Sequence, residues 1–149
     1  MDRGKPGSKL HVLSEAHGLP LVVGVTAANT HDSEMFIPLL DGIPAVRSRR
    51  GPRRRRPAKL HADKGYDAGH LRVYCRQLGI VPRIARRGVE SSERLGRHRW
   101  RIERTISWLF GYRRLTIRYE RKARYFAAFL SLAATLACYK RLATAAARD

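Results

Sequence analysis

The predicted fold class is α/β, a layered arrangement in which a hairpin and two further short strands alternate with helices and two long helices close the chain. Three observations predict it. Residues 19–26 form a β-branched run that follows a His17-Gly18 turn and a partly alternating stretch, which marks a β-hairpin. Two short strand-like runs, residues 60–63 and 80–84, bracket an amphipathic segment at 68–79. Apolar residues then recur at helical spacing over 98–115 and again over 123–143.

Taken in order, residues 1–9 are rich in Gly, Pro and Lys and read as a mobile lead-in. The first hairpin strand covers 8–16, with Leu10 and Val12 on one face. Thr30-His31-Asp32-Ser33 offers caps for a short helix through Met35, Phe36, Leu39 and Leu40, ended by Gly42. Residues 45–59 carry seven arginines among glycine and prolines and read as a loop, disordered when free. The strand at 60–63 ends on Asp63, and Gly65 allows a sharp turn. The helix at 68–79 turns Leu71, Tyr74, Cys75 and Leu78 inward, and Pro82 pushes the next strand to a sheet edge. Residues 88–96 read as polar linker. In the helix over 98–115, Ile102, Ile106 and Leu109 form a core stripe with Glu103 beside it; Trp100 and Trp108 read as core. The last helix offers Phe126, Phe129, Leu130, Leu136 and Tyr139 for packing. No internal repeat is present.

The length suits one domain with a real core. Formal net charge is +19, from 31 Lys+Arg against 12 Asp+Glu, and six lysines leave 25 arginines. Arginine forks match phosphate oxygens, so a charge of this size and kind reads as a footprint for nucleic acid. A GC-rich genome would also inflate Arg and Ala, and charge alone does not separate the two. Cys75 and Cys138 stand in apolar helical surroundings without a CxxC or Cys/His cluster, which argues against zinc and fits a reducing cytosol. The start of the chain shows no signal-peptide pattern. The longest apolar run, residues 126–139, is too short to span a bilayer.

Among so many cations, Asp63 and Glu103 stand out. Each has a plain structural reading. Asp63 would be a helix N-cap, and Glu103 would pair with Arg99 one turn earlier on its helix. Asp67, His31 and Asp32 read as cap or turn residues, and His61 as a strand residue. The chemical reading is that hard carboxylate oxygens hold divalent cations for phosphoryl transfer, a task that needs few Asp or Glu side chains drawn from distant positions.

An ordered set of short segments favours the chemical reading. Thr26-Ala27-Ala28-Asn29 precedes His31-Asp32; the DKGYD of Asp63 to Asp67 follows; then come Arg99-x3-Glu103-Arg104-Thr105, Trp108-Leu109 and Arg113-Arg114-Leu115. In this order, and from Arg3 to Leu142, the chain resembles the C-terminal catalytic part of DDE transposases of bacterial insertion sequences, of the insertion-sequence-five kind. The resemblance implies a ribonuclease-H-like mixed sheet with flanking helices, the first strand missing here. It implies an Asp, Asp, Glu triad holding two Mg2+ or Mn2+ and catalysing DNA cleavage and strand transfer, with Asp63 as the second Asp and Glu103 as the Glu, both catalytic and metal-binding. In the family signature Tyr-x2-Arg-x3-Glu-x6-Lys, Arg99 and Glu103 match, while Gly96 and Phe110 occupy the Tyr and Lys positions. Arg113 and Arg114 stand in for the lysine on phosphate. Lys64, Arg99, Arg104 and the loop arginines Arg53, Arg54, Arg55 and Arg56 position DNA.

The family's first Asp lies on a strand upstream of the hairpin, whereas Asp2 precedes a flexible GKPG stretch. The expectation is therefore a partial catalytic domain over 1–149, with an Arg-rich loop at 45–59 and two C-terminal helices at 98–143. It reads as a truncated copy or the second of two reading frames joined by frameshifting, inactive alone. Expected partners are insertion-sequence ends, target DNA, further copies in the active assembly and an upstream reading-frame product supplying the first Asp; no membrane is implied, and the setting is the bacterial cytoplasm near the nucleoid. The alternative is a non-catalytic basic DNA- or RNA-binding remnant. A ribosome-associated basic protein would explain the charge but not the ordered acidic motifs.

Overall fold

The computed structural model describes residues 7–47, 51–88 and 92–147, with side chains for all of these except 92–99. It is a mixed α/β structure that divides into two compact units, one built from 1–30 with 100–149 and the other from 31–99.

In the first unit, β1 (Ser8–Ser14) and β2 (Pro20–Ala27) form the expected antiparallel hairpin. The register sets Leu10 against Val25 and Val12 against Val23. Side chains alternate across a strand, so these four share one face. That face packs on a core of Leu109, Leu115, Phe126, Leu130, Ala133 and Ala134. Most of this core comes from α5 (Ala123–Ala146), whose alanines permit close approach and whose buried positions 126, 130, 133, 134 and 137 follow helical spacing. Leu136 and Tyr139, expected inside, are exposed instead, because they fall on the far side of that stripe. By length and composition α5 could cross a bilayer, which the 14-residue apolar run does not foretell; its buried stripe is that of a core helix.

The helix before it, α3, runs Ser92–Phe110 and starts within the stretch read as linker. It stops at Gly111, and a separate short helix, α4 (Arg113–Thr116), follows, so 98–115 is two helices rather than one. Its buried side is also rotated from the expected stripe. Thr105 and Leu109 are buried, Ile102 is half-buried and Ile106 is 39% exposed.

In the second unit, a 3-10 turn (Asp32–Met35) leads into α1 (Phe36–Asp41). His31 caps the turn as expected: its ring nitrogen accepts from the Ser33 amide, and Glu34 returns the bond to the His31 backbone. Within 45–59, Val46 and Arg54 exchange both backbone hydrogen bonds at 2.9 Å. The strands β3 (Lys59–Ala62) and β4 (Val81–Ile84) are parallel, joined through α2 (Gly69–Gln77). Pro82 sits opposite Leu60 in this two-stranded sheet, separate from the hairpin sheet, where one mixed sheet was expected. In α2, Leu71 and Cys75 are buried and the Tyr74 hydroxyl donates to Asp41 Oδ1 at 2.5 Å, tying α2 to α1. Gly79, at φ 73°, ends α2 in the left-handed region that favours glycine.

Candidate active site

Asp63 is the first residue after β3, at the C-terminal end of a parallel pair, the usual position for ligand-handling residues in such sheets. The chain turns there because the Asp63 carboxylate caps its own 3-10 turn (Lys64–Tyr66), with Oδ1 accepting from the Gly65 amide at 2.9 Å. Asp63 is exposed. The capping reading is thus present as geometry, and it leaves the carboxylate at the surface.

Three neighbours brace this turn. Tyr66 stacks on buried Phe36 with ring centroids 5.7 Å apart. Burial pushes its phenol up to about 12, and the negative charges of Asp32 and Asp63 push in the same direction. A residue read only as a turn former, Asp32, therefore faces the same tyrosine as Asp63. Asp67, expected as a helix cap, instead accepts from Arg72 Nη2 at 2.6 Å and from the Arg87 amide at 3.0 Å, while Ala68 occupies the cap of α2. Hydrogen bonding from Arg72, then from Arg87, holds the Asp67 carboxyl below its ordinary value.

Glu103 is exposed on α3, and its position is set by the two residues that follow it. Thr105 is fully buried; its hydroxyl lies 2.5 Å from the Gly18 carbonyl and 2.9 Å from that of Arg101. Arg104 donates from Nη2 to the His17 carbonyl. The hairpin turn receives both because Gly18 has φ 87°. A Cβ there would meet Thr105 Oγ1 at 3.1 Å and the Arg101 carbonyl at 3.2 Å. The Arg104 guanidinium also lies 4.5 Å from the Trp100 ring and 5.0 Å from the Trp108 ring, and Arg141 covers Trp108 at 4.0 Å. Trp100, expected in the core, is 47% exposed.

The expected DNA-contacting cations fall into two sorts. Arg53, Arg54, Arg55, Arg56, Lys64 and Arg113 are exposed on loop, turn or helix end. Arg104 is engaged by the turn and the tryptophans, and Arg114 donates to Glu120 Oε1 at 3.3 Å beneath the Tyr119 and Phe129 rings. The Arg99 side chain lies outside the described residues. Among the described residues, no three His, Cys, Asp or Glu side chains form a group able to hold a metal ion, and both cysteines are free thiols. Burial raises both thiols above their ordinary value. Sequence reasoning overlooked the roles of Thr105, Tyr66 and Glu120; the adjacency of Thr105 to Glu103 and of Tyr66 to Asp63 within their motifs was the available signal.

Comparison with known proteins gives the family of the chain. The family described as Transposase DDE domain matches residues 1–138. The chain is 45% identical over 141 residues to a putative transposase for insertion sequence element IS402 of Burkholderia cepacia, covering 95% of this chain and 67% of that protein. It is 29% identical to the transposase for IS1106 of Neisseria meningitidis serogroup B, over 80% of this chain and 40% of that protein. It is 30% identical to a putative transposase for IS6501 of Brucella ovis, over 87% of this chain and 95% of that protein. No solved structure matches. The chain belongs to the family of DDE-domain transposases of insertion sequences.

Proposed function

We propose that the chain is the greater part of a ribonuclease-H-like catalytic domain that cuts and joins DNA during transposition, with Asp63 and Glu103 as two of its three catalytic carboxylates. The observation that supports this most is that both family-motif acids are exposed on braced backbone, one just past a parallel strand and one on a helix whose neighbouring side chains bond to the hairpin turn. Carboxylate oxygens are the donors that Mg2+ or Mn2+ prefers, so the donor chemistry fits even though two acids alone make an incomplete set. When bound, the metal ions stabilise charge on the attacking and leaving oxygens of an in-line displacement. The family pattern places the third carboxylate on a strand upstream of the hairpin, and that acid would complete the proposed set.

The chain's own part is to hold these two acids in place and to bind phosphate. Lys64, Arg99, Arg104, Arg113, Arg114 and the loop arginines Arg53 to Arg56 supply contacts that are independent of sequence and sensitive to salt. The substrates are the ends of an insertion sequence and its target, handled in the cytoplasm by an assembly of several copies.

The test uses the chain joined to an upstream segment that carries the missing acid. Asp63→Ala and Glu103→Ala each abolish Mg2+-dependent cleavage while DNA binding persists. Wild-type cleavage in either variant removes that residue from the catalytic set. The 149-residue chain alone binds DNA with steep salt dependence and cleaves poorly; robust cutting by it leaves no need for an outside acid. The second reading, a basic DNA- or RNA-binding remnant without catalysis, is favoured by the charge alone and predicts that no extension restores cleavage.

A further inference from the structure

We propose that the outer side of α5 is an interface with a second copy of this chain, the two α5 helices lying antiparallel. α5 carries no charged residue from Tyr125 to Tyr139, and a helix that is apolar all the way round is normally covered all the way round. Its own unit covers one side only, through the buried positions 126, 130, 133, 134 and 137. About half a turn round the helix from these, Tyr125, Leu132, Leu136, Tyr139 and Leu142 are 50%, 59%, 44%, 68% and 62% exposed. At about 150–200 Å2 for each whole side chain, they leave roughly 500 Å2 on one copy and about 1,000 Å2 on a pair, the lower bound for a specific interface.

The spacing on that side selects the partner. Tyr125, Ala128, Leu132, Thr135, Tyr139 and Leu142 alternate three and four residues apart, the repeat by which two long helices pack along their length. α5 spans 24 residues, about 36 Å, and a second α5 supplies a helix of matching length and composition. The surface already has a seat for it. Tyr125, Ala128, Phe129 and Leu132, with Glu120 beside them, line a hollow of about 330 Å3. Four residues at i, i+3, i+4 and i+7 make the hole that receives one side chain of a facing helix. In an antiparallel pair centred between positions 133 and 134, Tyr139 of the second copy stands opposite Ala128, over that hollow. The largest side chain of the stripe thus meets the smallest. The same register sets Tyr125 against Leu142 and Leu132 against Thr135, and two-fold symmetry repeats every pair.

Charge agrees with this occupant. Lys140 lies 5.4 Å from the Tyr112 ring and Arg141 4.0 Å from the Trp108 ring, both turned toward their own unit. The stripe itself has no cation to offer a phosphate, and the antiparallel order keeps the two Lys140-Arg141 pairs at opposite ends of the dimer. Each copy carries a formal charge of +19, so repulsion opposes the pair and salt strengthens it by screening; DNA binding has the opposite dependence. This inference gives a face to the proposed assembly of copies but needs neither DNA nor metal. Its failure leaves the roles of Asp63 and Glu103 untouched.

The experiment is analytical ultracentrifugation of the 149-residue chain after nuclease treatment. Wild type forms a dimer at about 50 µM chain, with no ladder of larger species, and added salt strengthens it. Tyr139→Glu and Ala128→Lys each weaken association by about tenfold or more with an unchanged melting temperature, since both positions are exposed. Val73→Glu, on an exposed position of α2, changes nothing. Mixing the Tyr139→Glu and Ala128→Lys chains restores the dimer, because the antiparallel register sets position 139 of one against position 128 of the other. A wild type that stays monomeric at about 100 µM, or one whose association is abolished by salt, overturns the interface. So does a Tyr139→Glu chain that dimerises like wild type, or a mixture that fails to recover. A monomer that floats with phosphatidylcholine vesicles overturns it as well and gives the face to a bilayer.

Discussion

The two motif acids are held by opposite strategies. Glu103 is carried by a 19-residue helix whose position is fixed from a distance, since Arg104 and Thr105 bond to His17 and Gly18 across 87 positions of sequence. Asp63 is carried by a three-residue turn fixed from within, by its own carboxylate on the Gly65 amide and by its near neighbours Tyr66 and Asp67. A long-range anchor ties the placement of an acid to the folding of its whole unit. A local anchor lets the turn keep its form as long as a few adjacent groups keep their charge and contacts. The first should fail cooperatively and the second by degrees.

The largest expected effect is on the long-range anchor. Gly18→Val places a β-branched side chain at φ 87° and drives its Cβ toward Thr105 Oγ1 and the Arg101 carbonyl. The combined strain and crowding cost about 3 kcal/mol. Denaturant unfolding followed on this variant should show an earlier midpoint with unchanged cooperativity; an unchanged midpoint means the turn relaxes and anchors nothing. Thr105→Val comes next. It keeps the buried shape but removes the hydroxyl donor and strands the Gly18 carbonyl, at about 1–3 kcal/mol. Thr105→Ser restores the donor and most of the loss, and equal losses in both variants would assign the effect to packing instead.

Smaller effects are expected at the turn, and they depend on pH. The Asp67 carboxyl is lowered in the folded chain from an ordinary value of 3.8. A group lowered on folding contributes stability that is full above the ordinary value and is lost as pH falls through the folded one. Asp67→Asn should therefore be less stable than wild type near neutral pH, and the difference should close below about pH 4. A constant difference down to strong acid would show that the Arg72 and Arg87 bonds do not depend on that charge. The smallest effect concerns Tyr66, whose phenol is raised from 10 to about 12. Its contribution is full below pH 10 and is lost as pH rises through about 12. Ultraviolet titration should show a late-ionising phenol in wild type that is lost in Tyr66→Phe, beside the Tyr74 phenol, which its bond to Asp41 also raises. Normal titration of every tyrosine would place the phenol in open water, away from Asp32 and Asp63.

How much of this was legible in the sequence follows the same division. Hairpin, turn and strand positions were readable because Gly18, Gly65 and alternating residues such as Leu10 and Val12 act locally. The motif acids were readable because ordered spacing survives without coordinates. The buried side of α3 was misjudged because periodicity alone does not say which neighbour a helix packs on. Thr105, a polar residue, is buried by its bonds to two carbonyls, and Ile106 is left outside. The same holds for α5, where alanines rather than Leu136 and Tyr139 face the core.

Both tryptophans of the chain, Trp100 and Trp108, sit on α3 one turn before and just over one turn after Glu103, with guanidinium groups packed against their rings. The protein's natural ultraviolet emission is consequently a private signal from that helix. Binding or melting near Glu103 will change its colour and yield without any attached dye.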